Sequence, residues 1–370
     1  MHKGEIMGSI RRLTTVLGAA ALALGTLTVG IAGVGSAGAA PKFKACVVTD
    51  TGGINDKSFN ASAYKGATDA AKVDSNIQPS YLSSNSAADY VPNINSFISQ
   101  KCGIIVTVGF LMDTATAAAS KAHPSQKFAI VDDAPSVNKN DQLLSLQYET
   151  DQAGFLGGML AAGMTKKGAV ATYGGEQFPS VTLYMNGFVA GVRYYNQKFG
   201  TKVKALGWTP AAGACSLAKC NGSGTFVGNF TDQTAGRTDT ANFFAQGADI
   251  VFPVAGSVGL GSVVAAQQAG KGHSVMWVDS NGCVSDKIDC PWFVGTVAKG
   301  VEPSVEAAIL SAARGTFKAG TYVGTLKNNG TALEYGGIKV PSSLRAKIAA
   351  AKAGIISGKI SVNPNKYPAK

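Results

Sequence analysis

Histidine is almost missing from this chain: three occur in 370 residues, at His2, His123 and His273. The last two stand in loop-like contexts, before Pro124 and Ser274, with no nucleophile beside them. A Ser/His or Cys/His hydrolase would lack its base, and a zinc centre would lack its usual nitrogen ligands. The motifs C-x-x-C, H-E-x-x-H and G-x-S-x-G do not occur. Gly256-Ser257-Val258-Gly259-Leu260-Gly261 reads G-x-x-G-x-G, so it fits neither the dinucleotide fingerprint nor a phosphate loop ending in Lys-Ser/Thr. No metal, no cofactor and no enzymatic activity are expected, although carboxylate chemistry stays open on these absences alone.

Acidic residues are also few, 22 against 33 lysines and arginines, for a net charge of +11. The excess is dispersed, with Lys42 and Lys44 and the pair Lys166-Lys167 as its densest spots. Neither is a run that tracks a phosphate backbone, which argues against nucleic acid as a partner. Long apolar runs are missing after the first forty residues. Within them, Arg11 and Arg12 precede a charge-free stretch from Leu13 that ends in Ser36-Ala37-Gly38-Ala39-Ala40-Pro41, the pattern of a secretory signal over residues 1–39 cut after Ala39. The alternative is a retained anchor, since the stretch approaches the roughly 20 residues that span a bilayer. Either reading places the rest outside the cytosol, at the outer face of the membrane, in the periplasm or secreted.

Six cysteines follow, an even number in an exported chain, so disulfides are expected. The expected pairs are Cys46 with Cys102, each opening an apolar strand, and Cys215 with Cys220 and Cys283 with Cys290, each sharing a loop.

From Ala45 onward, short apolar runs alternate with stretches of helical period, the signature of α/β architecture with parallel sheets. One series of strands is predicted at 46–49, 78–82, 104–108 and 128–131. A second follows at 169–173, 203–206, 250–254, 275–278 and 293–297. No linker rich in proline or serine separates them, and 143–152 reads as a hinge passage. The expected organisation is one lobe of 42–148 plus about 299–320 and another of 149–298 plus about 321–362.

Open α/β sheets bind ligands beyond the carboxyl ends of their strands, so the residues just after each run are the informative ones. Asp50 to Asn60 forms a polar loop after the first strand, with Phe59 where a helix begins. Phe59 can be a ring-stacking wall or the first core residue of its helix, with Asp56 or Ser58 as the cap. Asp132 and Asp279 close strands in the two series, where each can serve a ligand hydroxyl or cap a turn. Phe230 precedes a helical stretch as Phe59 does, and Lys299 ends the last strand of the second series.

Taken together the chain resembles the basic membrane lipoprotein family of ABC-transporter substrate-binding proteins, which includes purine-nucleoside receptors. The resemblance rests on Val47-Val48-Thr49-Asp50-Thr51-Gly52-Gly53-Ile54-Asn55-Asp56-Lys57-Ser58-Phe59-Asn60, Ile105-Val106-Thr107-Val108-Gly109-Phe110, Phe128-Ala129-Ile130-Val131-Asp132, Gly154-Phe155-Leu156-Gly157-Gly158-Met159, Asn186-Gly187-Phe188-Val189-Ala190-Gly191, Gly247-Ala248-Asp249-Ile250-Val251-Phe252 and Val278-Asp279-Ser280. It implies a type I periplasmic-binding-protein fold, two Rossmann-like lobes closing on a ligand. It also implies a nucleoside as ligand, a membrane permease as partner, and a monomer. By the same resemblance Phe59 and Phe230 fall on the two ring positions, Asn60 and Asp132 contact the base, Asp279 and Lys299 grip the ribose, and Asp50 is the adjoining acid. Two features depart from the family. No lipobox cysteine ends the signal, and Asn281-Gly282-Cys283 stands where many relatives carry another acid. A receptor for another polar small molecule, such as a sugar or vitamin, is the second reading, and a secreted nucleoside- or carbohydrate-active enzyme the third.

Overall fold

A computed structural model describes residues 42–213 and 215–367; the expected signal segment lies outside the described residues. The first lobe opens with β1 (Phe43–Val48), α1 (Phe59–Val73), β2 (Ile77–Leu82), α2 (Tyr90–Ser99), β3 (Ile104–Val108), α3 (Asp113–Ala122), β4 (Phe128–Val131) and β5 (Leu143–Tyr148). The chain then crosses into the second lobe through α4 (Thr150–Met164), β6 (Ala169–Gly174), α5 (Pro179–Phe199) and β7 (Lys204–Leu206). A small hairpin, β8 (Trp208–Pro210) and β9 (Gly222–Gly224), precedes α6 (Gln233–Ala245), β10 (Ile250–Val254), α7 (Val258–Ala269), β11 (Ser274–Asp279), α8 (Gly282–Ser285) and β12 (Phe293–Lys299). Next come α9 (Val301–Ala313), β13 (Gly320–Gly324), β14 (Thr331–Tyr335) and α10 (Ser342–Ile356).

The first sheet has the order β13-β5-β4-β3-β1-β2 and the second β14-β12-β11-β10-β6-β7. All the neighbours within them pair in parallel except β14, which runs antiparallel to β12. Both sheets therefore carry the doubly wound order 2-1-3-4-5 with one added edge strand. Helices cover both faces, which is why β3 and β4 are buried at every residue and read as unbroken apolar runs. This is the type I periplasmic-binding-protein fold expected from the sequence.

β5 was hidden in the sequence, where 143–152 reads as a hinge passage. Its burial alternates irregularly, and Ser145 and Gln147 dilute its apolar character. β13 sits in the first sheet beside β5, and β14 in the second beside β12, so the chain changes lobes a third time between 324 and 331. The three crossings are tied together, Glu149 N–H donating to Gly324 O at 2.8 Å and Gly300 N–H to Gly330 O at 2.9 Å. α9 returns to the first lobe and packs on α1. There Gly66 lets α1 and α9 approach closely, because a Cβ on it would stand 2.4 Å from the Glu302 carbonyl oxygen.

The three disulfides join the expected partners, Cys46 to Cys102, Cys215 to Cys220 and Cys283 to Cys290. The first ties β1 to the start of β3. No helix among the described residues is long and apolar enough to cross a membrane.

Candidate functional site

The carboxyl ends of the strands in both lobes face one cavity, with about 550 Å³ of empty space, its mouth included. Asp50, Phe59, Asn60, Asp132, Phe230, Asp279 and Lys299 all line it. The structure thus brings all seven candidate ligand residues to one cavity.

The loop after β1 builds one side. Its buried Asp56 accepts the N–H groups of Ser58 at 3.0 Å, Asn60 at 2.7 Å and Ala61 at 3.1 Å, so it caps the start of α1. Burial pushes Asp56 up to about 7, against the pull of those three donors. Ser58 is left free for another task. Its hydroxyl reaches across the cleft to Asp279 Oδ2 at 3.0 Å and Val278 O at 3.1 Å. The neighbouring Lys57 carbonyl accepts from Ser280 Oγ at 2.8 Å and Trp277 Nε1 at 3.4 Å, so this loop docks on the second lobe.

Asn60 donates through Nδ2 to Asp50 Oδ1 at 2.7 Å and approaches Asp56 Oδ2 at 3.4 Å. This fixes its amide orientation and leaves the buried Oδ1 without a partner among the described residues. An acceptor stranded in this way carries a cost of about 1–3 kcal/mol that a ligand N–H or O–H would relieve. Asp50 also accepts from Gly52 N–H at 2.9 Å. Its pKa is raised by burial, which the donors from Asn60 and Gly52 only partly offset. Gly109 has φ +105°, and a Cβ there would lie 2.6 Å from Asp50 Oδ2 and 3.4 Å from the Phe59 ring. Only glycine keeps that corner open.

Lys299, at the end of β12, pairs with Asp132 from the first lobe and lies 3.4 Å from Asp279 Oδ1 of the second. Burial lowers its pKa, but the charges of Asp132 and Asp279 outweigh this and hold it above its ordinary value. Its ammonium stands 4.7 Å from the centre of the Phe59 ring and 5.1 Å from that of Tyr184. Asp132 is pushed up to about 6, burial exceeding the pull of Lys299. Both aspartates sit in the left-handed region, with φ +69° for Asp132 and +62° for Asp279. Such backbone costs on the order of 1–3 kcal/mol per residue and gathers at functional sites. The strain falls at matching strand ends in the two lobes.

Phe230 forms part of the opposite wall. Its turn is held by Asn229 Oδ1, which accepts from Thr231 N–H at 2.9 Å and Asp232 N–H at 2.8 Å, and its own carbonyl accepts from Ser257 Oγ at 2.7 Å. The ring packs on Gly175 and stacks on Phe178 at 6.4 Å between centroids.

Several wall residues were not found from the sequence. Tyr184, fully buried, donates its hydroxyl to Asp279 Oδ1 at 2.8 Å; it lies within α5, where its spacing reads as core. Phe178 just precedes α5, as Phe59 and Phe230 stand at or before theirs, a signal the sequence carried. Phe110 comes after the apolar run of β3 and was legible by the same strand-end rule.

A family model described as "ABC transporter substrate-binding protein PnrA-like" matches residues 43–219 and 224–348. The break falls beside the Cys215–Cys220 loop. The chain is 30% identical over 351 residues to the ABC transporter nucleoside-binding protein BmpA of Lactococcus lactis subsp. cremoris, covering 88% of this chain and 90% of that one. It is 27% identical over 304 residues to an uncharacterized lipoprotein of Pyrococcus furiosus, covering 78% and 69%. A solved solute-binding protein of an ABC transporter system from Aeropyrum pernix K1 superposes with a TM-score of 0.73 at 24% identity, covering 86% of this chain and 92% of that one. Both matched segments carry the lobes and the walls of the cavity, and the chain belongs to the PnrA-like family of ABC transporter substrate-binding proteins.

Proposed function

We propose that this protein is an exported receptor that captures a nucleoside, a purine nucleoside foremost, between its two lobes and presents it to the permease of an ABC importer. The observation that carries this reading is the arrangement around Lys299. One buried ammonium holds a carboxylate from each lobe and lies over the face of Phe59, so polar sugar-binding groups and a ring platform meet at one point. Asp132, Asp279 and Lys299 suit ribose hydroxyls through charge-assisted hydrogen bonds. Phe59 and Phe230 suit a flat base, with stacking worth about 1–3 kcal/mol. Asn60 Oδ1 and Asp50 present acceptors to a base edge that bears N–H groups.

The same lining disfavours nucleotides. Among the described residues Lys299 is the one cationic side chain on the cavity wall, facing Asp50, Asp56, Asp132 and Asp279, so a phosphate would meet a surplus of buried acid. Capture without turnover needs no nucleophile, and the carboxylates here are held in ion pairs and caps. A sugar receptor remains the rival reading, because carboxylates and rings suit a pyranose as well. A thermal-shift screen against nucleosides, free bases, pentoses and nucleotides tests the assignment. Nucleosides should raise the melting temperature most; stabilisation by sugars with none by nucleosides would refute it.

A further inference from the structure

Phe110 and Phe178 are unexplained by ligand chemistry alone. Phe110 comes just after β3 in the first lobe and Phe178 precedes α5 in the second, yet their rings stack across the cleft at 4.7 Å with 24° between planes. Both are part-buried and line the cavity. Each is held by its own turn. Met112 N–H donates to Gly109 O at 3.0 Å around Phe110, and Phe178 N–H donates to Glu176 O at 3.0 Å while its carbonyl accepts from Val181 and Thr182 N–H at 3.0 and 2.9 Å. The stack shares no residue with the polar interlobe contacts of Lys57, Ser58 and Lys299.

We propose that Phe110 and Phe178 form an aromatic latch between the lobes that sets how long a captured ligand is held. The latch requires of the proposed function only that the lobes close on a ligand, whatever its chemistry. A stacked pair of this kind shifts an equilibrium by roughly two- to twelvefold beyond area burial. Because the rings meet each other across the cleft, that factor appears in release and applies equally to ligands with and without a base. Phe59 acts differently, since a stacking wall discriminates between them. Phe178 also lies near Phe230, at 6.4 Å and 29° between ring planes, but its closer partner is Phe110 at 4.7 Å.

The test is a double-mutant cycle with Phe110→Leu, Phe178→Leu and the double variant. Release of inosine and of D-ribose is followed by stopped flow, and interlobe energy transfer between fluorophores on the outer faces is recorded with and without ligand. Each single variant should speed release roughly two- to twelvefold for whichever probe binds, and the double variant no more than either single one. The closed fraction seen by energy transfer should fall in parallel. Independent, additive losses, or a loss seen with inosine and not with ribose when both bind, would mean that the rings touch the ligand and not each other. If neither probe binds, the nucleoside assignment fails, and the latch is still judged by the ligand-free closed fraction: a coupled fall supports it and an unchanged fraction overturns it.

Discussion

Replacing Lys299 with methionine keeps much of the side-chain volume and removes the charge that joins the lobes. In the closed protein the Lys299 side chain is 3% exposed, that of Asp132 7% and that of Asp279 8%, so the three groups are almost fully desolvated. Without the ammonium, two buried carboxylates face each other with no counter-charge, although Asp279 keeps its bonds from Tyr184 and Ser58. Removing one partner from such a set costs about 3–5 kcal/mol, or roughly a hundred- to several-thousandfold in Kd if the open form escapes the penalty in water. The pH dependence carries the sharper signature. Asp132 already sits at about 6 in the closed state against an ordinary 3.8, so closing takes up protons between those values. Closure is therefore favoured by acid and loses this contribution as pH rises through about 6. In Lys299→Met the pull of the lysine is gone, Asp132 rises further, and the window extends above that value. Titration calorimetry at about pH 7.5 and about pH 5.5 should show the variant recovering up to tenfold affinity per pH unit, more than the parent regains. Circular dichroism and melting of the unliganded variant separate a binding defect from a folding one. A folded variant that binds within about threefold of the parent at neutral pH, where tenfold is about 1.4 kcal/mol, would refute this role of Lys299.

Phe59→Ala should weaken purine nucleosides by about 1–3 kcal/mol and leave any ribose binding unchanged, as read by calorimetry; equal losses for both would make Phe59 a structural residue. Asp56 is raised to about 7 from 3.8, so the stability it contributes is full in acid and is lost as pH rises through about 7. The stability gap between the parent and Asp56→Asn should therefore narrow from about pH 5 to about pH 8 in urea titrations, by at most about 3 kcal/mol, and a widening gap would contradict this. Removing the Cys46–Cys102 disulfide, which closes 56 residues, should cost about 4 kcal/mol in the chain-entropy picture. The Cys215–Cys220 bridge, with a separation of 5, should cost clearly less by the same denaturant assay, and the reverse ranking would contradict the picture.

Much of the site was legible because parallel sheets make a simple promise: the residues just past the end of an apolar strand lie at the ligand end. Asp50, Asp132, Asp279 and Lys299 were all found by that rule, and the cavity takes in each of them. The parts that stayed hidden depend on how the lobes meet. The sequence leaves the cap of α1 open between Asp56 and Ser58; the carboxylate of Asp56 does the capping, and Ser58, one residue before the helix, bonds to Asp279 instead. No pattern within one lobe could announce a partner 221 residues away. Tyr184 is hidden for a related reason: a tyrosine on the buried face of a long helix has the spacing of core, and only its hydroxyl, pointed at Asp279, shows otherwise. β5 was lost to its diluted alternation, while the stronger runs of β3 and β4 were placed almost to the residue.

If one cleft recognises a base and a ribose together, the whole nucleoside must bind far better than its parts. Calorimetric titration of the protein with inosine, with hypoxanthine and with D-ribose under one set of conditions measures this directly. Inosine should bind at least about a hundredfold more tightly than either part, about 2.7 kcal/mol or more, because only the whole molecule engages Phe59 and the Asp132–Lys299–Asp279 bridge at once. Ribose or another sugar binding as tightly as inosine, or tighter, would contradict it.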